Sequence, residues 1–327
     1  MLFGDVHYAE ESTVDEERWF PATVRKLPKK EKEGYLKHWD RLTQTAFWKL
    51  LKEANLLEPF DFLIDLGDST SGTGQRGLVT AKVQREREKY NKLIADAFPK
   101  TPKFFLWGDH DVGYNDAITE AQGWKGERMS IGSFRVAEKL IGPSWYNREI
   151  EGFTLLFLNS EIIRESKNSD NPDQEFFVQK AKEQERFIQE CLKNTSDKII
   201  LLIHDPMQIR YLQRILAPYK ENIIVLAGHL HSPAIWKIYY IFSRIVKAMK
   251  LFGIRIPNVL QKTQKQRAIK SLIQEMTEMQ QTIQLFDIKI IPAPWGQIAF
   301  PKIVFGRGEF TVLELSNGQF VLERHKL

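Results

Sequence analysis

Phe62-Leu63-Ile64-Asp65-Leu66-Gly67-Asp68 reads as a buried strand that stops in a carboxylate-bearing turn. A short apolar run of this kind suits a strand covered on both faces. Gly67 permits a sharp turn, which presents Asp68 just beyond the strand. The same grammar recurs along the chain. Met1-Leu2-Phe3 leads into Gly4-Asp5-Val6-His7, and Phe104-Phe105-Leu106-Trp107 into Gly108-Asp109-His110-Asp111. Residues 199–203 lead into His204, and 223–226 into Gly228-His229-Leu230-His231. If the chain stays extended after the first strand, Asp5 and His7 point the same way and can grip one ion.

Between the apolar runs lie stretches with helical spacing. Leu36, Leu42, Ala46, Phe47, Leu50 and Leu51 form one stripe; Phe177, Ala181, Phe187, Ile188 and Leu192 form another. Strand–helix alternation predicts an α/β layered fold, with the Asp and His residues gathered at the C-terminal ends of strands, where sites in open α/β sheets assemble. After Asp287 the texture changes to short runs at 288–291, 302–305, 309–315 and 319–323, which read as antiparallel strands. Asn317-Gly318 supplies a hairpin turn between the last two.

Each segment alone reads equally well as a polar turn or a hydrogen-bonded structural histidine. Their ordered conjunction does not, because five of the chain's 7 histidines fall within them. Imidazole and carboxylate converging at strand ends are ligands for a transition-metal ion. The ordered set resembles the calcineurin-like metallophosphoesterase family, whose pattern is D-x-H, G-D, G-N-H-[DE], H and G-H-x-H. The resemblance runs from Asp5 to His231.

That resemblance implies a four-layer α/β/β/α sandwich and two divalent metal ions, with Mn²⁺, Fe or Zn²⁺ suited to mixed nitrogen and oxygen ligands. Carried over by residue, Asp5, His7 and His231 hold one ion, Asp109, His204 and His229 the other, and Asp68 bridges them. The paired ions would lower the pKa of a bridging water and clamp a phosphate ester for in-line attack. His110 would serve the leaving oxygen, with Asp111 orienting its ring. One position departs from the pattern: Asp109 stands where the family carries asparagine. It brings extra negative charge beside an anionic substrate, and with it an expectation of altered metal preference or slower turnover.

The chain has 327 residues, 43% of them hydrophobic, enough to bury one substantial core with room for an insertion. Its single cysteine, Cys191, falls on a helical apolar stripe and excludes an internal disulfide framework. A reducing, cytoplasmic location follows as the expectation. Met1 runs almost directly into Gly4-Asp5, without a secretory signal, and the first strand is expected to be short or to begin upstream.

The net charge of +5 is unevenly spread. No acidic residue occurs between Asn222 and Gln274, a stretch that holds nine basic ones. Residues 233–285 read as a helical hairpin inserted between core segments 1–232 and 286–327. On its first helix Lys237, Arg244, Lys247 and Lys250 oppose Ile235, Ile238, Phe242, Ile245, Met249 and Phe252. Two uses compete: a cap packed on the core, or an in-plane contact with an anionic membrane, where each basic residue contributes about 1 kcal/mol. Nucleic acid ranks behind both, because the pattern is more amphipathic than phosphate tracking requires. The chain is therefore expected to hydrolyse a phosphomonoester or phosphodiester, with a lipid-linked or membrane-proximal substrate in view. The competing expectation is a catalytically weak, membrane-associated scaffold that retains the metal fold.

Overall fold

The computed structural model describes residues 1–8, 28–70, 81–113, 128–195, 198–230, 241, 282, 285–294, 297–300, 303–305, 308–316 and 318–327. The apolar runs form the strands predicted for them: β1 (Leu2–Phe3), β2 (Leu63–Asp65), β3 (Lys103–Phe105), β5 (Phe153–Leu158), β6 (Lys198–Ile203) and β7 (Ile223–Ala227). β4 (Tyr146–Ile150), which sequence reading did not single out, joins β5 antiparallel. Beyond them come β8 (Asp287–Ile290), the antiparallel pair β9 (Gln297–Phe300) and β10 (Ile303–Phe305), and the long hairpin β11 (Glu309–Ser316) and β12 (Gln319–Lys326).

Two mixed five-stranded sheets result, in the orders β12-β11-β1-β2-β3 and β4-β5-β6-β7-β8. β1, β2 and β3 run parallel in the first sheet, as β5 to β8 do in the second. Their C-terminal ends carry the Asp and His segments. One expectation is corrected here. The run beginning at Ile288 is parallel to β7, with Val225 opposite Ile288. An antiparallel return needs only a tight turn, whereas nearly sixty residues separate β7 from β8, ample for a crossover.

The four layers are visible in how successive side chains sort. Along β6, Ile200 and Leu202 pack between the sheets with Leu2, Ile64, Leu66, Phe153, Phe157 and Leu226. The alternate residues Ile199, Leu201 and Ile203 face the helices instead, against Ile188, Leu192, Leu212 and Leu216. These belong to α6 (Gln174–Asn194) and α7 (Ile209–Leu216). On the first sheet, Phe3 and Leu63 face Phe47, Leu50, Tyr90 and Ile94, supplied by α1 (Lys29–Asn55) and α2 (Ala81–Ala97). Period-two alternation thus divides each strand between two apolar interfaces, which is the α/β/β/α arrangement. Among the described residues the remaining α-helices are α3 (Asp109–Val112), α4 (Ile131–Leu140) and α5 (Ser160–Ser166). The inserted hairpin expected over 233–285 lies outside the described residues, except Ile241, Thr282 and Leu285.

Candidate metal centre

The segment after β1 does not stay extended. Asp5 and His7 both take left-handed backbone angles, φ 54° and 51°, as do Asp68 at 52° and His229 at 62°. Such angles cost on the order of 1–3 kcal/mol each and persist only where the surroundings over-determine them. Here the determinant is backbone pairing: the Asp5, His7 and Tyr8 amides donate to the carbonyls of Gly67, Asp68 and Ser69 at 2.8–2.9 Å. The first two motifs therefore descend from the sheet as a paired ribbon.

The third motif meets that ribbon at backbone contact. A Cβ on Gly108 would lie 2.0 Å from the Asp68 amide nitrogen, and one on Gly67 would lie 2.7 Å from that of Gly108. Gly67 also sits at φ 100°. Only hydrogen fits at either place, which explains the glycine before each carboxylate. The His110 amide, at the start of α3, donates to Asp68 Oδ1 at 2.8 Å.

The second sheet contributes imidazoles. His204, fully buried at the end of β6, sets its Nδ1 2.8 Å from the Leu66 carbonyl across the sandwich. That contact assigns the proton to Nδ1 and turns Nε2 toward Asp109 Oδ1 at 3.0 Å and Asp68 Oδ2 at 3.3 Å. His229 Nδ1 approaches the same Asp109 oxygen at 3.3 Å, and the His229 amide donates to Asp5 Oδ1 at 3.0 Å.

Two groups of ligand atoms emerge, each within 4.8 Å of one another: Asp68, Asp109, His204 and His229, then His7, Asp68 and His110. Asp68 belongs to both. The His7 and His110 rings meet edge to face at 4.6 Å. Asp5 joins neither group but is bonded to the His229 amide, and His231 lies outside the described residues. The donor chemistry, carboxylate oxygen plus imidazole nitrogen, fits a first-row divalent ion.

Three carboxylates are entirely buried here. Burial pushes the Asp5 carboxyl up to about 7, and burial together with the charge of Asp109 raises that of Asp68. Burial opposes the charge of Asp109 as well, but His229 and the hydrogen bonds from His204 and His229 hold it well below the usual range. Burial would lower both imidazoles. The neighbouring carboxylates prevail, Asp68 first for His204 and Asp109 first for His229, leaving His204 well above its ordinary value and His229 near 10. The pocket concentrates negative charge, and a cation is the natural answer to it.

One expected role is not where sequence reading placed it. The Asp111 carboxylate accepts hydrogen bonds from the amides of Ser69, Thr70 and Gly108 and from the Thr70 hydroxyl. The His110 ring is not among its partners. At the third position of α3 its side chain folds back onto the helix start, as an N-terminal acidic residue does. Sequence reading also missed Arg87 and Tyr90, which are fully buried behind the centre. Their signal was available: Val83, Arg87, Tyr90 and Ile94 share one helical stripe, so the arginine lies on the inward face. Arg164 was missed as well. On α5 it pairs with Glu161 and donates to the Gly113 carbonyl just past α3.

Residues 1–233 match the model of the calcineurin-like phosphoesterase family, and the chain belongs to that family. Its buried Asp/His cluster offers the donors that a metal ion takes. No curated protein matches the chain. Among solved structures it is similar to purple acid phosphatase PPD1 from seeds of yellow lupin, Lupinus luteus, at 14% identity and a TM-score of 0.36. The match covers 70% of this chain and spans 37% of the lupin protein.

Replacing Gly108 by alanine forces the 67–68 and 108–109 loops apart. Gly108→Ala is expected to lose bound metal by elemental analysis and to destabilise by about 1–3 kcal/mol. Gly132→Ala is the control, because a Cβ there meets only Ser130 Oγ at 3.5 Å. It should match wild type in metal content and melt no lower. Equal metal content in both variants would refute the close-approach argument.

Proposed function

We propose that the chain hydrolyses a phosphate mono- or diester at a centre of two divalent cations. Asp5, His7 and His231 hold one, Asp109, His204 and His229 the other, and Asp68 is shared. The observation that carries this reading is the membership of Asp68 in both ligand groups, in a conformation it would not adopt unforced. Bound cations supply Lewis acidity toward phosphate oxygen and toward water. The chain's own part is to fix geometry and move a proton. His204 presents Nε2 because Nδ1 is held by Leu66. His110, half-buried at the mouth, is the group placed to hand a proton to the leaving oxygen, and its own amide fixes Asp68.

Asp109 adds a third buried carboxylate to Asp5 and Asp68. Its Oδ1 faces both histidines, a contact an asparagine oxygen could reproduce, so the difference is charge rather than shape. That charge favours a harder or more highly charged ion and weakens the hold on an anionic ester.

The basic, amphipathic 233–285 segment follows His231 directly and supports a substrate at an anionic membrane surface. Ile241 within it is 57% exposed. Among the described residues no helix is long and apolar enough to cross a membrane.

Three measurements test the proposal. Mn²⁺-loaded protein should hydrolyse an aryl phosphate mono- or diester, and His110→Ala should lower kcat by about 10²–10⁴-fold with metal retained. Metal-bound wild type without turnover would instead favour the scaffold. Asp109→Asn should change the ratio of bound metals or raise kcat/KM; identical values for both would remove its special role. Wild-type protein should co-sediment with anionic but not neutral vesicles, and loss of this contrast, or its survival when the Lys237, Arg244, Lys247 and Lys250 charges are reversed, would sink the membrane reading.

A further inference from the structure

Next to the two ligand groups, two more carboxylates are buried, Asp65 and Asp111. Asp65 accepts from the Gly67 amide at 3.0 Å, the Ser69 hydroxyl at 2.6 Å and the Tyr90 hydroxyl at 2.7 Å. Asp111 accepts from Ser69 N, Thr70 N, Thr70 Oγ1 and Gly108 N at 3.0–3.4 Å. Six of these seven donors lie on residues 67, 69, 70 and 108, which flank Asp68 and precede Asp109. Those residues then hold the segment carrying Asp5 and His7 through the amide pairs to Gly67, Asp68 and Ser69.

Two anions in an apolar layer beside three more need a fixed positive charge. Arg87 supplies it. Its guanidinium is fully buried, 3.6 Å from Asp111 Oδ1, and lies over the rings of Tyr90 and Phe105 at 5.3 and 5.1 Å. Among the described residues none of its nitrogens makes a hydrogen bond. A buried arginine retained without hydrogen bonds acts through charge and stacking, not as a structural tie.

We infer that Arg87, with Asp65, Asp111 and Tyr90, forms a clamp of positioning residues that holds the Asp68 turn in the geometry needed to take metal. The inference rests on the metal reading above. It assigns Asp111 to this clamp and gives Arg87 a role at a distance: its guanidinium sets positive charge beside Asp111, whose carboxylate grips the turn. None of the four belongs to either ligand group.

The test uses the full-length chain and two readouts. The first is amide hydrogen exchange in metal-free protein at Gly67, Ser69, Thr70 and Gly108, with Ile200 and Leu202 as core references. The second is Mn²⁺ affinity by calorimetry. Asp111→Asn sets an amide nitrogen against N–H donors, and exchange at Ser69, Thr70 and Gly108 should quicken about tenfold or more with the core references unchanged. Tyr90→Phe should quicken Gly67 and Ser69 to a smaller extent. Mn²⁺ affinity should fall about 10–100-fold in Asp111→Asn and Arg87→Met, as for groups that orient metal ligands. Arg87→Lys should restore most of it. The Arg87→Met/Asp111→Asn double variant should lose no more than the weaker single, because both act through one contact. Unchanged exchange in folded Asp111→Asn and Tyr90→Phe, or losses that multiply in the double variant, would overturn the clamp. Should Arg87→Met fail to fold, Asp111→Asn and Tyr90→Phe decide. Wild type that binds no Mn²⁺ would sink the metal reading, and exchange would still decide the clamp.

Discussion

Carboxylates crowded at one edge of two sheets repel one another, and the rest of this structure is arranged around that repulsion. Asp5, Asp68 and Asp109 are buried together, with Asp65 and Asp111 close behind. An isolated buried carboxylate is costly, so each is answered by a hydrogen bond, an imidazole or a cation. His204 and His229 answer from the second sheet, and Arg87 from the outer helix layer of the first. Removing a counter-charge would strand its partner, which is why these residues act as a set.

Holding such a set needs a rigid frame. Three apolar interfaces, two between sheet and helix and one between the sheets, supply it. They also bear the strain. Among the described residues five non-glycine positions have positive φ: four are Asp5, His7, Asp68 and His229, and the fifth, Glu151, turns the β4–β5 hairpin. Strain gathered at the residues of the Asp/His cluster points to a geometry held in place by its surroundings. On the proposed reading a phosphate ester would bring further negative charge to this pocket, and the excess of carboxylate would set how many positive charges must already be in place. Asp109 raises that requirement by one.

Much of this was legible in the residues. The strands that carry the site announced themselves as apolar runs, and glycine before Asp68, Asp109 and His229 marked their ends as turns. A layered α/β fold followed from strand–helix alternation, and four layers from the resemblance to the family. What could not be read was conformation after the strands. Asp5 and His7 were expected to act together because an extended chain alternates sides. They are instead turned by pairing with residues 67–69, a partner sixty positions away. Asp111 was read as the support for the neighbouring His110 because adjacency was the only guide; its carboxylate instead bonds Gly108 in its own motif and Ser69 and Thr70 in the loop after β2. Arg87 sat in a charged helix that reads as solvated unless its stripe is followed.

The sequence by itself determined the order of the motifs along the chain and the Asp and His residues at the strand ends, because these depend on local pattern; the close approach that requires glycine at 67 and 108 is a fact of tertiary structure. Tertiary structure alone decided that Asp68 belongs to two ligand groups, that His204 offers Nε2, and that Asp65, Asp111 and Arg87 stand behind them. Those facts are distances between residues far apart in the chain. They are set by the packing of two sheets at one edge, where the cost of burying like charges selects the few arrangements in which every charge is met.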